Sequence, residues 1–197
     1  MNEKIEAILS RMAELERELE AEFESELEAK RREFRYRLER GRAAFEREVR
    51  ERLERARQGW VAFLLSAPLA SLLVAPVIYS LTVPLVLLDA WLFVYQRTCF
   101  RAYGIARVDR SRYVVYDRSG LPYLNWIERL NCDYCAYANG LVAYAREIAS
   151  RTEQYFCPIK HARRLAGPHG RYKDFLDFGD ADGYRRRLDG LRGGLKP

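Results

Sequence analysis

The chain is predicted to be mainly all-α, and three observations lead to that class. Residues 1–58 contain no proline and are dominated by Ala, Leu, Glu and Arg, all good helix formers. Thirty consecutive residues, Gly59 to Leu88, carry no Asp, Glu, Lys, Arg or His, a run long enough to cross a bilayer as a helix. From Leu124 to Ile148, apolar side chains recur at roughly helical spacing around a pair of cysteines. These features divide the 197 residues into four zones: a charged rod (1–58), a membrane segment (59–100), a small helical Cys/His module (101–166) and a basic, glycine-rich tail (167–197).

The rod repeats every eleven residues. Met12, Phe23, Phe34, Phe45 and Ala56 are each eleven apart, and Leu27, Leu38 and Val49 each follow a phenylalanine by four. Eleven residues over three turns is about 3.67 per turn, which gives a straight or slightly right-handed supercoil rather than the heptad type. An unbroken helix of about 55 residues would be about 80 Å long. Its narrow apolar stripe predicts a parallel homo-oligomer through Met12, Phe23, Leu27, Phe34, Leu38, Phe45 and Val49. The alternatives are a solvated single helix held by Glu–Arg pairs or docking onto another protein.

Charge along the rod is polarised. Residues 1–29 hold three basic and ten acidic side chains, net −7, and residues 30–58 hold twelve basic and six acidic, net +6. The basic half borders the apolar run, which suits an anionic cytoplasmic leaflet. Because its bases are interleaved with acids, nucleic acid is not the expected partner. The first 58 residues offer no apolar h-region, so the apolar run itself is read as the insertion signal.

Trp60 to Tyr95 is 36 residues, about 54 Å as one helix against a hydrocarbon core of about 30 Å. Residues 44–58 and 97–112 hold five arginines each, and such flanks mark the cytoplasmic side. The expectation is a helical hairpin over 60–78 and 82–100, bent near Pro76, Ser80, Thr82 and Pro84, with both termini cytoplasmic. A shallow re-entrant hairpin, or one crossing followed by an interfacial helix, are the alternatives. Trp60, Trp91 and Tyr95 fit head-group level. Asp89 is an intramembrane polar residue; it either lines a path in an oligomer or pairs near the interface with Tyr, Thr or Arg.

The chemistry-bearing residues lie in 121–161. Cys132, Cys135, Cys157 and His161 read C-x2-C-x21-C-x3-H, two close ligand pairs of the kind tetrahedral zinc takes. A closed Cys3His shell leaves no open position, so the predicted zinc site is structural. Iron or an iron–sulfur cluster at the same ligands is the alternative, with a redox C-x2-C pair and simple thiol burial behind it. One helix is expected over about 123–150, with Asn139-Gly140 either interrupting it or absorbed by packing. A second, about 152–165, is expected to present Cys157 and His161. Tyr113–Tyr116 reads as a short strand, Cys99 as a packing thiol, His169 as a loop residue and 163–197 as a loosely ordered tail.

Tyr95–Phe100, Pro122–Glu128, Asn131-Cys132, Tyr134-Cys135, Tyr137–Gly140 and Ala149–His161 together resemble an uncharacterised family of small bacterial inner-membrane proteins with a C-x2-C and C-P-I-K-H cluster. The similarity covers about 75–165. It implies a bacterial inner membrane, takes the four ligands as a set and implies no activity. No phosphate-cradling glycine loop, nucleophile elbow or HExxH pattern is present. The expected function is a non-enzymatic, membrane-anchored, self-assembling scaffold with a structural zinc module. Two alternatives stand beside it: a membrane redox protein binding iron, and an oligomeric channel or transporter subunit using Asp89.

Overall fold

A computed structural model describes residues 3–39 and 42–197, and its architecture is mainly α-helical. Helix α1 (Glu3–Glu33) ends where Arg35 takes the left-handed φ of 50°. Strands β1 (Tyr36–Glu39) and β2 (Arg42–Phe45) then pair antiparallel, with Tyr36 opposite Phe45 and their rings 5.4 Å apart. Helix α2 (Arg47–Arg55) follows. The expected unbroken rod over 1–58 is therefore corrected to two helices joined by a hairpin.

The physical reason is partial burial across the hairpin. Leu27, Phe34, Leu38, Phe45 and Val49 line one cavity of about 400 Å³ with Leu121 and Tyr123; Val49 is buried and Leu27 and Phe45 are half-buried, while Phe34 and Leu38 keep about half their surface in solvent. Of the predicted oligomerisation stripe, Met12 and Phe23 lie on α1 away from this cavity and are well exposed. Arg40 and Gly41 lie outside the described residues.

Helix α3 (Trp60–Ser66) stops at Ala67 and Pro68, both extended at ψ 138° and 136°, because a proline pushes the preceding residue out of the helical region. Helices α4 (Leu69–Ser80) and α5 (Thr82–Tyr95), a π-helical turn (Gln96–Phe100) and α6 (Arg101–Tyr103) then run as one 35-residue helix, Leu69–Tyr103. Here the hairpin expectation is corrected. Leu81 stays helical at φ −60°, ψ −20°, so Pro84 costs only the hydrogen bond it cannot donate. The chain turns at Ala67-Pro68, not at Ser80–Thr82.

Residues 104–125 cross back without regular helix or strand beyond two short 3-10 turns; the expected strand at Tyr113–Tyr116 does not form. Helix α7 (Trp126–Phe156) opens on a capping box, in which Asn125 Oδ1 accepts from Ile127 N and Glu128 N and Glu128 Oε2 accepts from Asn125 N. It runs unbroken through Asn139-Gly140 for 31 residues. Gly140 is needed there: a Cβ would lie 2.5 Å from the Tyr113 carbonyl oxygen and 2.9 Å from Val114 Cα. The crossing segment thus rests its backbone directly on α7.

Helix α7 runs parallel to the apolar helix, meeting it at Tyr79–Tyr134, Gln96–Tyr144 and Tyr103–Tyr155 in turn. Between them lies the core of Leu85, Leu92, Phe100, Ile105, Val108, Leu141, Tyr144, Ile148 and Leu195. The second helical piece expected at 152–165 is absent; α7 ends at Phe156 and Cys157–Lys160 pairs instead with Leu176 through Lys160 N→Leu176 O (2.7 Å) and Leu176 N→Pro158 O (2.9 Å). The tail is ordered. Helix α8 (Ala181–Gly193) is capped by Asp180 and held to α7 by Gln154 Nε2→Leu191 O (2.8 Å) and Arg192 Nε→Tyr155 O (2.9 Å).

Candidate functional site

Two surfaces of the apolar helix define the site. Its inward face carries Tyr79, Thr82, Leu85, Asp89, Leu92 and Gln96, spaced three and four apart and all buried or half-buried. That spacing keeps one stripe on α7 over five turns. Its outward face carries Leu69, Leu73, Val77, Leu87 and Trp91, each about 70% exposed. Only 6% of its most apolar 18-residue window is buried within the chain. A core helix of a water-soluble fold is covered on all sides; this helix is covered on one.

The inward face is sealed by polar contacts. Tyr79 Oη donates to Asn131 Oδ1, and Tyr134 Oη donates to the Ile78 carbonyl at 2.9 Å. Asp89 takes a bidentate pair from Arg110, Nε–Oδ1 3.1 Å and Nη2–Oδ2 2.8 Å, and a third bond from Tyr137 Oη at 3.2 Å. Gln96 donates to Tyr144 Oη and accepts from Val108 N at 2.7 Å. Tyr95 Oη lies 3.1 Å from Thr152 Oγ1. Burial, with the Asp89 carboxylate beside it, raises the Tyr137 phenol above its ordinary value, so Tyr137 stays protonated and donates. Asp89 is thus the paired carboxylate of the two sequence readings, with Arg110 and Tyr137 as partners. Its arginine comes from the crossing segment 21 residues on, a partner that no local spacing rule indicates.

The four predicted metal ligands are not brought together. Cys132 and Cys135 sit one turn apart in α7, while Cys157 caps its far end. Twenty-two residues of continuous helix put Cys135 and Cys157 about 33 Å apart. His161 belongs to the Cys157 end, where its backbone N donates to Tyr172 Oη at 2.6 Å and its ring stacks on Tyr172 at 6.3 Å. A zinc or iron ion drawing on one chain meets at most one of the two pairs, and the expected Cys3His centre does not fit this arrangement. Among the described residues, no group of three or more His, Cys, Asp or Glu side chains is placed to hold a metal ion.

A second polar cluster escaped the sequence reading. Glu147 accepts from Arg151 Nε (2.8 Å) and Arg171 Nη2 (2.7 Å), and Arg171 Nη1 also reaches Gln154 at 3.1 Å. Burial opposes the Glu147 charge, but the two arginines outweigh it and hold the carboxyl below its ordinary 4.5. His169 is a loop residue, as expected, and is half-buried with Nε2 2.9 Å from Glu153 Oε2 and its ring against Phe175. These contacts tie 167–176 to α7. Glu147 and His169 also border an open cleft of about 470 Å³ with Tyr113, Asn139 and Arg146, but the carboxylates are engaged by their cationic partners, and the cluster is read as a structural clasp.

Comparison of the chain with protein-family models, curated proteins and solved structures finds no match. The resemblance drawn above rests on the residues quoted for it.

Proposed function

We propose that this chain is a non-enzymatic, membrane-anchored protein of the bacterial inner membrane. Its apolar segment sits in lipid and its exposed N-terminal helix brings copies together on the cytoplasmic side. The observation that carries the reading is the outward face of Leu69–Tyr103, apolar over more than five turns and left uncovered by the other described residues. At about 25 cal/mol per Å², a face of this kind is too costly to leave in water. Five arginines on each flank of the run support a cytoplasmic position for both termini.

Self-assembly is carried by α1. Met12, Leu15, Leu19 and Phe23 are each more than half exposed on a helix that packs against the rest of the chain at its C-terminal end. Copies confined to one membrane plane meet at high effective concentration, which favours pairing of even a narrow stripe. Two observations favour this reading over the other two: the Asp89 charge is already met by Arg110 and Tyr137, and Cys132 and Cys135 are separated from Cys157 and His161 along α7.

The test is extraction of native membranes. The chain is expected to stay in the pellet through alkaline carbonate and to leave it only with detergent. A cysteine in place of Phe23 is expected to give an inter-subunit cross-link in those membranes. Release by carbonate would refute the anchor, and absence of the cross-linked dimer would refute assembly through α1.

A further inference from the structure

The apolar segment leaves α7 and returns to it. Trp60 packs on Trp126 with rings 6.3 Å apart, and three residues earlier Arg57 Nη2 bonds the Pro122 carbonyl at 2.8 Å. The chain then rejoins α7 at Ile78-Tyr79, where Tyr134 and Asn131 hold it. The two feet stand on α7 at Trp126 and Tyr134, eight residues or about 12 Å apart. Between them is a bent piece with its corner at Ala67-Pro68. One leg, α3, is seven residues, about 10 Å; the other, Leu69–Ile78, is ten residues, about 15 Å. A bilayer core is about 30 Å thick. Each leg therefore reaches about as far as one leaflet.

The rest of the 35-residue helix does not supply the missing length. From Tyr79 onward it is backed by α7, and along the same stretch the crossing segment returns with Arg107, Asp109, Arg110, Arg112, Asp117 and Arg118. Non-helical backbone open to hydrocarbon leaves its N–H and C=O groups unsatisfied, so this layer stays in water or among head groups. It keeps the helix beside it at the same depth.

We infer that the segment is a one-leaflet wedge: the corner at Ser66–Leu69 and the outward face of α4–α5 enter the cytoplasmic leaflet, and nothing reaches the far side. The inference rests on the membrane-anchored reading and specifies its geometry. Lipid is favoured as the occupant by what rims the face. Arg97 and Arg101 on one flank and Arg55 and Arg57 on the other are exposed beside it, placed for anionic head groups. Trp60, Trp91 and Trp126 are each about half exposed or more along its length, as interfacial aromatics are.

The test uses the full chain with its four cysteines replaced by serine and single reporters introduced by Met12→Cys, Leu69→Cys and Lys196→Cys. Each variant is first shown to pellet with membranes after carbonate. A membrane-impermeant maleimide is then applied to spheroplasts and to inverted vesicles. The wedge expects Met12→Cys and Lys196→Cys to label in inverted vesicles and not in spheroplasts, with Leu69→Cys silent in both until detergent is added. Labelling of Leu69→Cys in spheroplasts would reveal a full hairpin, and labelling of the two terminal reporters from opposite faces a single crossing; either overturns the inference while leaving the anchor intact. Loss of the unsubstituted chain from the pellet at the carbonate step instead removes the anchored reading, and a protein partner then covers the face.

Discussion

Gly140→Ala is the most direct probe of how the polar seam is assembled. On an exposed helix the change would stabilise, by roughly 1 kcal/mol from helix propensity alone. At Gly140 the added Cβ meets the Tyr113 carbonyl oxygen at 2.5 Å, Val114 Cα at 2.9 Å and the Tyr113 carbonyl carbon at 3.0 Å. All three are backbone atoms that cannot rotate aside. Overpacking of this kind costs about 1–3 kcal/mol, and rigid neighbours put it toward the upper end, so the net loss is about 1–2 kcal/mol after the propensity gain.

For a chain of this size, each kcal/mol moves the unfolding midpoint by about 2–4 °C. The midpoint of Gly140→Ala in detergent, followed by tryptophan fluorescence, is expected to fall by about 2–8 °C. Gly190 is the internal control: it lies in α8 with nothing within 4 Å of an added methyl, so Gly190→Ala is expected to raise the midpoint by about 2–4 °C. Two identical substitutions thus carry opposite signs. A rise for Gly140→Ala would mean that the crossing segment does not rest on α7, and the placement of Arg110 against Asp89 would fall with it.

Three further outcomes are expected. Asp89→Ala leaves Arg110 without its carboxylate; since both side chains keep some solvent contact, 21% and 40% exposed, the coupling read from a double-mutant cycle with Arg110→Gln is about 1 kcal/mol, and a coupling of zero would refute the pair. Glu147→Gln is expected to cost about 1–2 kcal/mol at neutral pH. Because the folded carboxyl titrates below its ordinary 4.5, that stability is fully present above the unfolded value and is lost as pH falls through the folded one; the gap between wild type and variant must therefore close in acid, and a gap that widens there would refute the arginine clasp. Finally, Cys132→Ser and His161→Ala are expected to affect zinc uptake independently of each other. Loss of one and the same tightly held zinc in both variants would restore the single four-ligand centre.

The sequence was most legible where one force dominates. The absence of charge from Gly59 to Leu88 marked the apolar helix, and the apolar spacing from Leu124 to Ile148 marked α7. Legibility failed where distant stretches compete for the same residues. The eleven-residue repeat is genuine in the sequence, yet the β-hairpin turns Phe45 and Val49 back toward Leu27 and Leu121, so that they line one cavity instead of continuing a single helical stripe. The ligand spacing misled for a related reason. C-x21-C permits convergence only if the chain between the pairs reverses, and Asn139-Gly140 and the expected break near 151 were the places for a reversal. Packing of the crossing segment uses that glycine for close approach instead of a break. The helix therefore runs unbroken for 31 residues, and the continuity that holds Tyr134, Tyr137 and Tyr144 in line against the apolar helix is what carries Cys132 and Cys135 away from Cys157 and His161. Building the seam with the apolar helix and building a four-ligand centre are, in this chain, mutually exclusive uses of α7.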